Sequence, residues 1–418
     1  MGQENGEWLA RAKSKGLRQT SASCMRAGNS DKLCDRLADA VVDAHLAQDE
    51  NARVDVRAWV SPGRIVLSGE AFSAAKVDYE DLVWDQISGI GYLNGDLCRP
   101  GQELEIENRI ARPDTLKSAP AGRIVTGYAT SETPEGLPLP LTLAYGLCRM
   151  LDQLQYRTPW LGVDGGVRVE LLQGADEPAF LTRIELEAQH TSDISPEDLR
   201  HTLSEQTAEC ARAVCEAQKS FGKTSRVSGK HILYRGQYPA AGQRLTCSPA
   251  PEMRTEGAKL RINPAGAYLA GGPMAGSGRS GRRSAMDQYG PGIPGAGYLS
   301  GKSPERLERC GGYAARWVAK AIVDAGFARH CQTRMVFSDE REAPALTVNT
   351  FGTGALPDNL LSHMAARQFD LRPDAVRNLF RLNRPIYAAL SAYGHYGRQE
   401  LPWEQTDQAA KDLRRMAL

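Results

Sequence analysis

The chain has 418 residues, and its 51 Lys and Arg balance 50 Asp and Glu, which argues against a dedicated nucleic-acid binder. At roughly 100–200 residues per domain this is chain enough for about two to four domains, with a core that needs no metal or disulfide staple. No run approaches the ~18 apolar residues of a membrane span, the N-terminus lacks a signal-peptide core, and nine cysteines without a Cys-x-x-Cys fit reduced thiols in a cytoplasmic protein.

Residues 1–20 read as a polar extension. From about residue 31 to 49, Leu33, Leu37, Ala40, Val41 and Ala44 recur at helical spacing. Two β-like runs over 52–60 and 64–72, joined by Ser61-Pro62-Gly63, give a hairpin signal, and a helix over about 78–90 follows. The pattern recurs twice. Runs over 167–172 and 180–189 precede a helix from near Pro196, and runs over 332–337 and 345–351 precede a helix from near Pro357. Three hairpin-then-helix units predict three related α/β subdomains, each a small sheet covered by helices. The stretches 93–121, 219–254 and 289–302 are rich in Gly, Pro or charge and are expected to be mobile loops of functional interest.

The densest glycine run, from Tyr289 to Ser303, ends in Gly301-Lys302-Ser303 but has Ala296 where a phosphate loop requires glycine, and no apolar strand leads into it. It is therefore not a standard P-loop. Its small residues still let backbone amides approach an anion, with Lys302 as a point charge. Upstream lie Gly271-Gly272-Pro273-Met274 and the Arg279-Ser280-Gly281-Arg282-Arg283 run, and downstream Arg306 and Arg309. Clustered cations among glycines suit a polyphosphate. Taken alone, a solvated charge run is the simpler reading. Near the N-terminus, Gly28-Asn29-Ser30-Asp31-Lys32 precedes the first helix. An Asp and a Lys at a helix start suit Mg²⁺ and phosphate, or the Asp merely complements the helix dipole.

These motifs, with Ile262-Asn263-Pro264, Tyr313-Ala314-Ala315-Arg316, Phe351-Gly352-Thr353, Phe369-Asp370-Leu371-Arg372-Pro373 and Ala392-Tyr393-Gly394-His395-Tyr396-Gly397-Arg398, resemble the S-adenosylmethionine synthetase family across nearly the whole chain. The resemblance implies three pseudo-repeated α/β subdomains and a tight homodimer, in some cases paired into a tetramer, with active sites between subunits. It also implies a reaction in which methionine sulfur attacks C5′ of ATP and expels the triphosphate, assisted by Mg²⁺ and K⁺. On that resemblance Asp31 and Glu308 stand at metal-binding positions. Lys302 and Arg282, expected with Asn29 to act in catalysis, stand with Arg283 and Arg306 at triphosphate cations, Tyr268 at the adenine-stacking aromatic, Asp164 at the ribose contact and Glu70 in the methionine pocket. Lys32 follows Asp31 as the family's pattern has it.

The departures fall on one side of the expected site. Asn29 replaces the histidine that donates to the oxygen leaving C5′. Gly166 replaces a catalytic lysine, Gly276 an active-site aspartate and Arg57 the K⁺-binding glutamate, so that K⁺ is not expected. Ala119-Pro120-Ala121-Gly122 stands where the family has Gly-Asp-Gln-Gly. Losing one well-placed transition-state donor typically costs ~10²–10³ in rate. The leading expectation is an enzyme that binds ATP, S-adenosylmethionine or a related adenosyl compound and acts at or near C5′, with a changed acceptor or reaction in a specialised pathway. The alternatives are an ordinary methionine adenosyltransferase and a non-catalytic member that binds nucleotide or a partner subunit.

Overall fold

The computed structural model describes residues 17–114, 122–174, 179–224, 253–254, 257–338 and 341–417. Three sheets carry the fold, and each contains one of the three expected hairpins. In the first, β1 (Arg18–Met25) pairs antiparallel with β6 (Leu161–Gln173), and β6 with β7 (Ala179–His190); the short strands β8 (Met253–Arg254) and β9 (Lys259–Ile262) lie parallel to β7. The second runs β10 (Gly278–Arg279), β2 (Arg53–Ser61), β3 (Arg64–Phe72), β4 (Glu105–Ala111), and the third β12 (Ala345–Asn349), β11 (His330–Phe337), β5 (Arg123–Thr130). Each hairpin therefore borrows strands from distant parts of the chain.

The second sheet holds most of the site, and its alternation explains how. Val54, Val56, Ala58 and Val60 of β2 and Ile65, Leu67 and Ala71 of β3 are buried. They meet Leu33, Leu37 and Val41 of α1 (Ser30–Leu46) in one apolar core. Because strand side chains alternate in direction, the other face carries Asp55, Arg57 and Trp59, set opposite Glu70, Ser68 and Val66 of β3. The helix α2 (Tyr79–Ile90) starts at the Asp78 cap, whose carboxylate accepts from the amides of Glu80 and Asp81, and it ends at Gly91 in the left-handed region. The short α3 (Asn94–Leu97) follows.

The helix α4 (Leu139–Gln155) covers β1 and β6, with α5 (Pro196–Thr224) on its outer side, while α6 (Ser284–Tyr289) packs on β1. The helix α7 (Leu307–Asp324) crosses β5 and β11. Against it or the third sheet pack α8 (Asp358–Gln368), α9 (Pro373–Phe380) and α10 (Asp407–Met416).

Two of the three loop expectations change. The stretch 93–121 contains α3 and the edge strand β4, whose charged residues Glu105, Glu107 and Arg109 hid its pairing with β3. Residues 115–121 lie outside the described residues, as does most of 219–254. The run 289–302 is packed rather than loose. Gln288 holds it through the amide of Ala296 at 2.9 Å and the carbonyl of Gly297. Its end lies along β2, where the amide of Val56 donates to Gly301 at 2.8 Å and that of Ser303 to Val54 at 2.9 Å. At the N-terminus, residues 18–20 already belong to β1.

Candidate active site

Asn29 caps α1, its side-chain oxygen accepting from the Asp31 amide at 3.2 Å. Its side-chain nitrogen donates to Asp164 Oδ1 at 3.3 Å. Asp164, on β6, is 2% exposed. Its Oδ1 also accepts from the Gly165 amide at 2.6 Å, and its Oδ2 accepts from the Tyr268 hydroxyl at 2.7 Å and the Gly272 amide at 2.8 Å. The carboxylate expected at ribose is thus surrounded by donors from this chain. Tyr268 therefore sits beside Asp164, with its hydroxyl turned to that carboxylate. Burial, and then the charge of Asp164, push its phenol well above the ordinary range. His190 Nε2 accepts from the Tyr268 amide at 3.2 Å and so positions it.

Asp31 starts the same helix. Its Oδ1 accepts from the Arg279 amide at 3.1 Å, and its Oδ2 lies 3.7 Å from Arg282. This contact depends on Gly278, where a Cβ would stand 2.3 Å from the Ser30 backbone. Strand β10 can approach the helix start only without a side chain there. Arg279 is opposite Trp59 in the β10–β2 pair. From Trp59 the outward face of β2 leads to Asp55, four residues or roughly 13 Å away at ~3.3 Å per residue.

At that far end Lys302 is 4% exposed and donates to Glu308 at 2.7 Å. Glu308 also meets Arg123 at 2.9 Å. Arg306 lies 3.4 Å from Asp55, and Lys302 bridges Asp55 through the backbone. The Tyr298 ring receives two cations, Arg57 at 4.2 Å and Lys302 at 4.3 Å from its centroid. Burial draws the Lys302 ammonium below its ordinary range against the opposing pull of Glu308. Burial works the other way on Glu308, but the bond and charge of Lys302 outweigh it and hold the carboxyl below its usual range. Glu70 is exposed on β3, opposite Asp55.

Two expected phosphate cations are drawn inward. Lys32 donates to Asp35 at 2.9 Å and Asp287 at 2.7 Å, all three buried. Burial disfavours its charge, yet Asp287 and Asp35 hold it above the ordinary lysine range. Arg283 lies 3.7 Å from the same Asp287 and donates to Ser23. These two tie the helix start to α6 and β1, whereas Arg282 stays outside with its side chain 59% exposed.

Among the described residues no group of three or more His, Cys, Asp or Glu could hold a metal ion. Asp31 and Glu308, at opposite ends of the sheet face, therefore each fit only a Mg²⁺ of its own that takes its other ligands from water and substrate phosphates, as Mg²⁺ commonly does. The unexpected members of the site are Arg279, Arg123, Asp55 and Tyr298. Arg279 was visible in its arginine run, while the others come from segments whose meeting no local pattern signals.

The departures also have structural surroundings. Gly166 pairs with Met25 across β1 and β6, and a Cβ on it would come within 2.6 Å of the Met25 sulfur. Around Gly276 nothing lies within 4 Å of such a Cβ. Residues 119–121 lie outside the described residues.

Comparison with known proteins accounts for the arrangement. Sequence models of the S-adenosylmethionine synthetase N-terminal, central and C-terminal domains match residues 18–113, 118–225 and 270–405. The S-adenosylmethionine synthase of Thermus thermophilus is 34% identical, with 96% of this chain and 99% of its own length aligned. That of Nocardia farcinica is 32% identical over 96% of this chain and 98% of its own, and that of Deinococcus radiodurans 32% over 91% and 94%. No helix among the described residues is long and apolar enough to cross a membrane. The chain belongs to the S-adenosylmethionine synthetase family and is an adenosyltransferase-type enzyme.

Proposed function

We propose that this protein binds a phosphate-bearing adenosyl compound along the outward face of the second sheet and acts at or near C5′ with an acceptor other than methionine. The observation that carries the reading is the contrast between the cations spread along the outward sheet face, Arg282 beside Asp31 and Arg306, Arg57 and Lys302 at its far end, and the cap, where Asn29 and Asp164 bond to each other at 3.3 Å. Clustered cations favour a polyanion, which weighs against a non-catalytic scaffold. In the ordinary reaction a sulfur lone pair forms the S–C5′ bond as the C5′–O bond breaks, and the departing triphosphate oxygen takes the negative charge. A charged donor at that oxygen lowers the barrier. Asn29 offers only a neutral amide, and that amide already serves Asp164 and the helix cap.

Arg282, Arg306 and Lys302 would hold the phosphates, and Tyr268 the base. Mg²⁺, carried on the phosphates beside Asp31, would offset part of their charge. Arg57, resting on Tyr298, supplies a fixed positive charge where a bound K⁺ would otherwise stand, so turnover is expected to be independent of K⁺. The open sheet face around Glu70 and Trp59 fits completion of the site by a second copy of the chain. We assign the protein to the cytoplasm.

The ordinary methionine adenosyltransferase reading rests on the near full-length similarity to S-adenosylmethionine synthases. Mass spectrometry of the protein with ATP, Mg²⁺, K⁺ and methionine separates the two. The proposal expects nucleotide binding without S-adenosylmethionine. Formation of that product with phosphate release would establish the ordinary reaction and end the proposal.

A further inference from the structure

Behind the cap end lies a separate cavity of about 620 Å³, within the range of small-molecule sites. Ala27, Gly28 and Val163 line it, each one or two residues from Asn29 or Asp164. So do three arginines from distant parts of the chain: Arg36 on α1, Arg149 on α4, and Arg398 near the C-terminus.

None of the three forms an ion pair among the described residues. Arg36 donates to Gln86 at 2.9 Å. Arg398 donates to the carbonyls of Ala389, at 2.9 Å, and Ala392, and its Nε is buried without a partner. Arg149 lies over the Tyr393 ring, 5.5 Å from its centroid, and the Tyr393 hydroxyl is also buried without a partner. Two carboxylates line the cavity. Asp152 is bound at 2.7 Å by the fully buried Arg26, which leaves Glu400 as the one acidic group to oppose three guanidiniums. Burial and the neighbouring Arg149 pull Arg398 below the ordinary arginine range. Two like charges side by side, with unsatisfied donors between carbonyl anchors, form an incomplete arrangement.

We propose that this cavity is a second anion site and takes a phosphate-bearing small molecule. A phosphate in the cavity would face the guanidiniums of Arg36, Arg149 and Arg398, which line it, with Glu400 the one unpaired carboxylate against them. The remaining volume, lined by Ile90, Val163 and Ala389, accepts an uncharged organic portion. The site shares the Ala27–Gly28 and Val163 wall with the cap end, so its occupancy bears on Asn29 and Asp164 from behind. The assignment is independent of the reaction proposed for the active site.

Titration calorimetry with inorganic pyrophosphate tests it. The intact protein is expected to show two classes of site. Arg149→Met, a change at an exposed side chain, should weaken one class at least tenfold and leave the other. Arg282→Met should do the reverse. Arg36→Met serves as the second cavity variant, with melting curves to verify folding. An isotherm unchanged by both Arg149→Met and Arg36→Met would overturn the proposal. So would binding of citrate but not pyrophosphate at the Arg149-sensitive class, or a change of subunit number in Arg149→Met without any change in pyrophosphate binding. An isotherm with the Arg149-sensitive class but no class weakened by Arg282→Met would instead count against the active-site reading.

Discussion

The two ends of the candidate site solve the same problem, polar groups at the edge of a core, in opposite ways. At the cap end neutral and anionic groups satisfy one another: Asn29 and Tyr268 donate to Asp164, which is 2% exposed. Along the sheet face cations and carboxylates pair unevenly: Lys302 meets Glu308 at 2.7 Å, Arg306 lies 3.4 Å from Asp55 and Arg282 3.7 Å from Asp31, and Arg57 rests on the Tyr298 ring. A neutral side chain at position 29 allows a closed network. Cations held this loosely, or on a ring, remain able to turn toward an anion.

The strongest way to break this contrast is Lys302→Met. Its loss leaves the phosphate end without its most buried cation, and nucleotide-dependent turnover should fall by roughly 10²–10³; steady-state kinetics with the natural acceptor, or nucleotide affinity before it is known, provides the measure. A loss smaller than tenfold would show that this end does not bind phosphate.

Acid should instead affect both ends together, because both rest on α1. His45 near its end is fully buried beside Tyr79 at 2.9 Å, and burial pushes its pKa down to about 4. Unfolded histidine titrates near 6.5, so the unfolded chain binds more protons between these values. The stability from neutral His45 is complete above about 6.5 and is lost as pH falls toward 4, by about 2–3 kcal/mol. Urea unfolding across that window should show the slope, and His45→Gln should flatten it.

Asn29→Ala sharpens the contrast from the closed end. Loss of the cap should cost about 1 kcal/mol of stability, seen as a lower thermal midpoint, with turnover reduced less than tenfold. A hundredfold loss of turnover would make Asn29 a catalytic donor after all. A similar cost, roughly 1 kcal/mol, is expected of Gly166→Ala, whose Cβ meets the Met25 sulfur at 2.6 Å and the Cys24 carbonyl at 3.0 Å, and it should be relieved only in part in the Met25→Ala, Gly166→Ala double variant.

The hairpins were readable because β2 and β3 alternate cleanly and meet at a Pro-Gly turn. The helices α4 and α7 gave no comparable signal. Residues 307, 309–316 and 318–323 of α7 are all buried, so no polar face marks its period. Strand β4 was hidden by its edge charges. In the site, the arginine run and Asp31 at the start of α1 were visible as local motifs. The stacking of Arg57 and Lys302 on Tyr298 was not, since it joins a sheet to a loop far along the chain. The inward turn of Lys32 was equally hidden, because Asp287 lies in another segment and only the packing of α6 brings it near.

The borrowed strands have a consequence for synthesis. Strand β1 waits for β6, β2 for β10, and β5 for β11. A nascent chain leaving the ribosome cannot complete the sheet begun at Arg53 until Arg279 has emerged, nor the one begun at Arg123 until Phe337 has followed. Such non-local pairing is slow and leaves strand edges exposed in the interval. Translation pace and chaperone access are therefore expected to govern the yield of this enzyme, and fragments cut at the boundaries of its three subdomains should fail to fold alone.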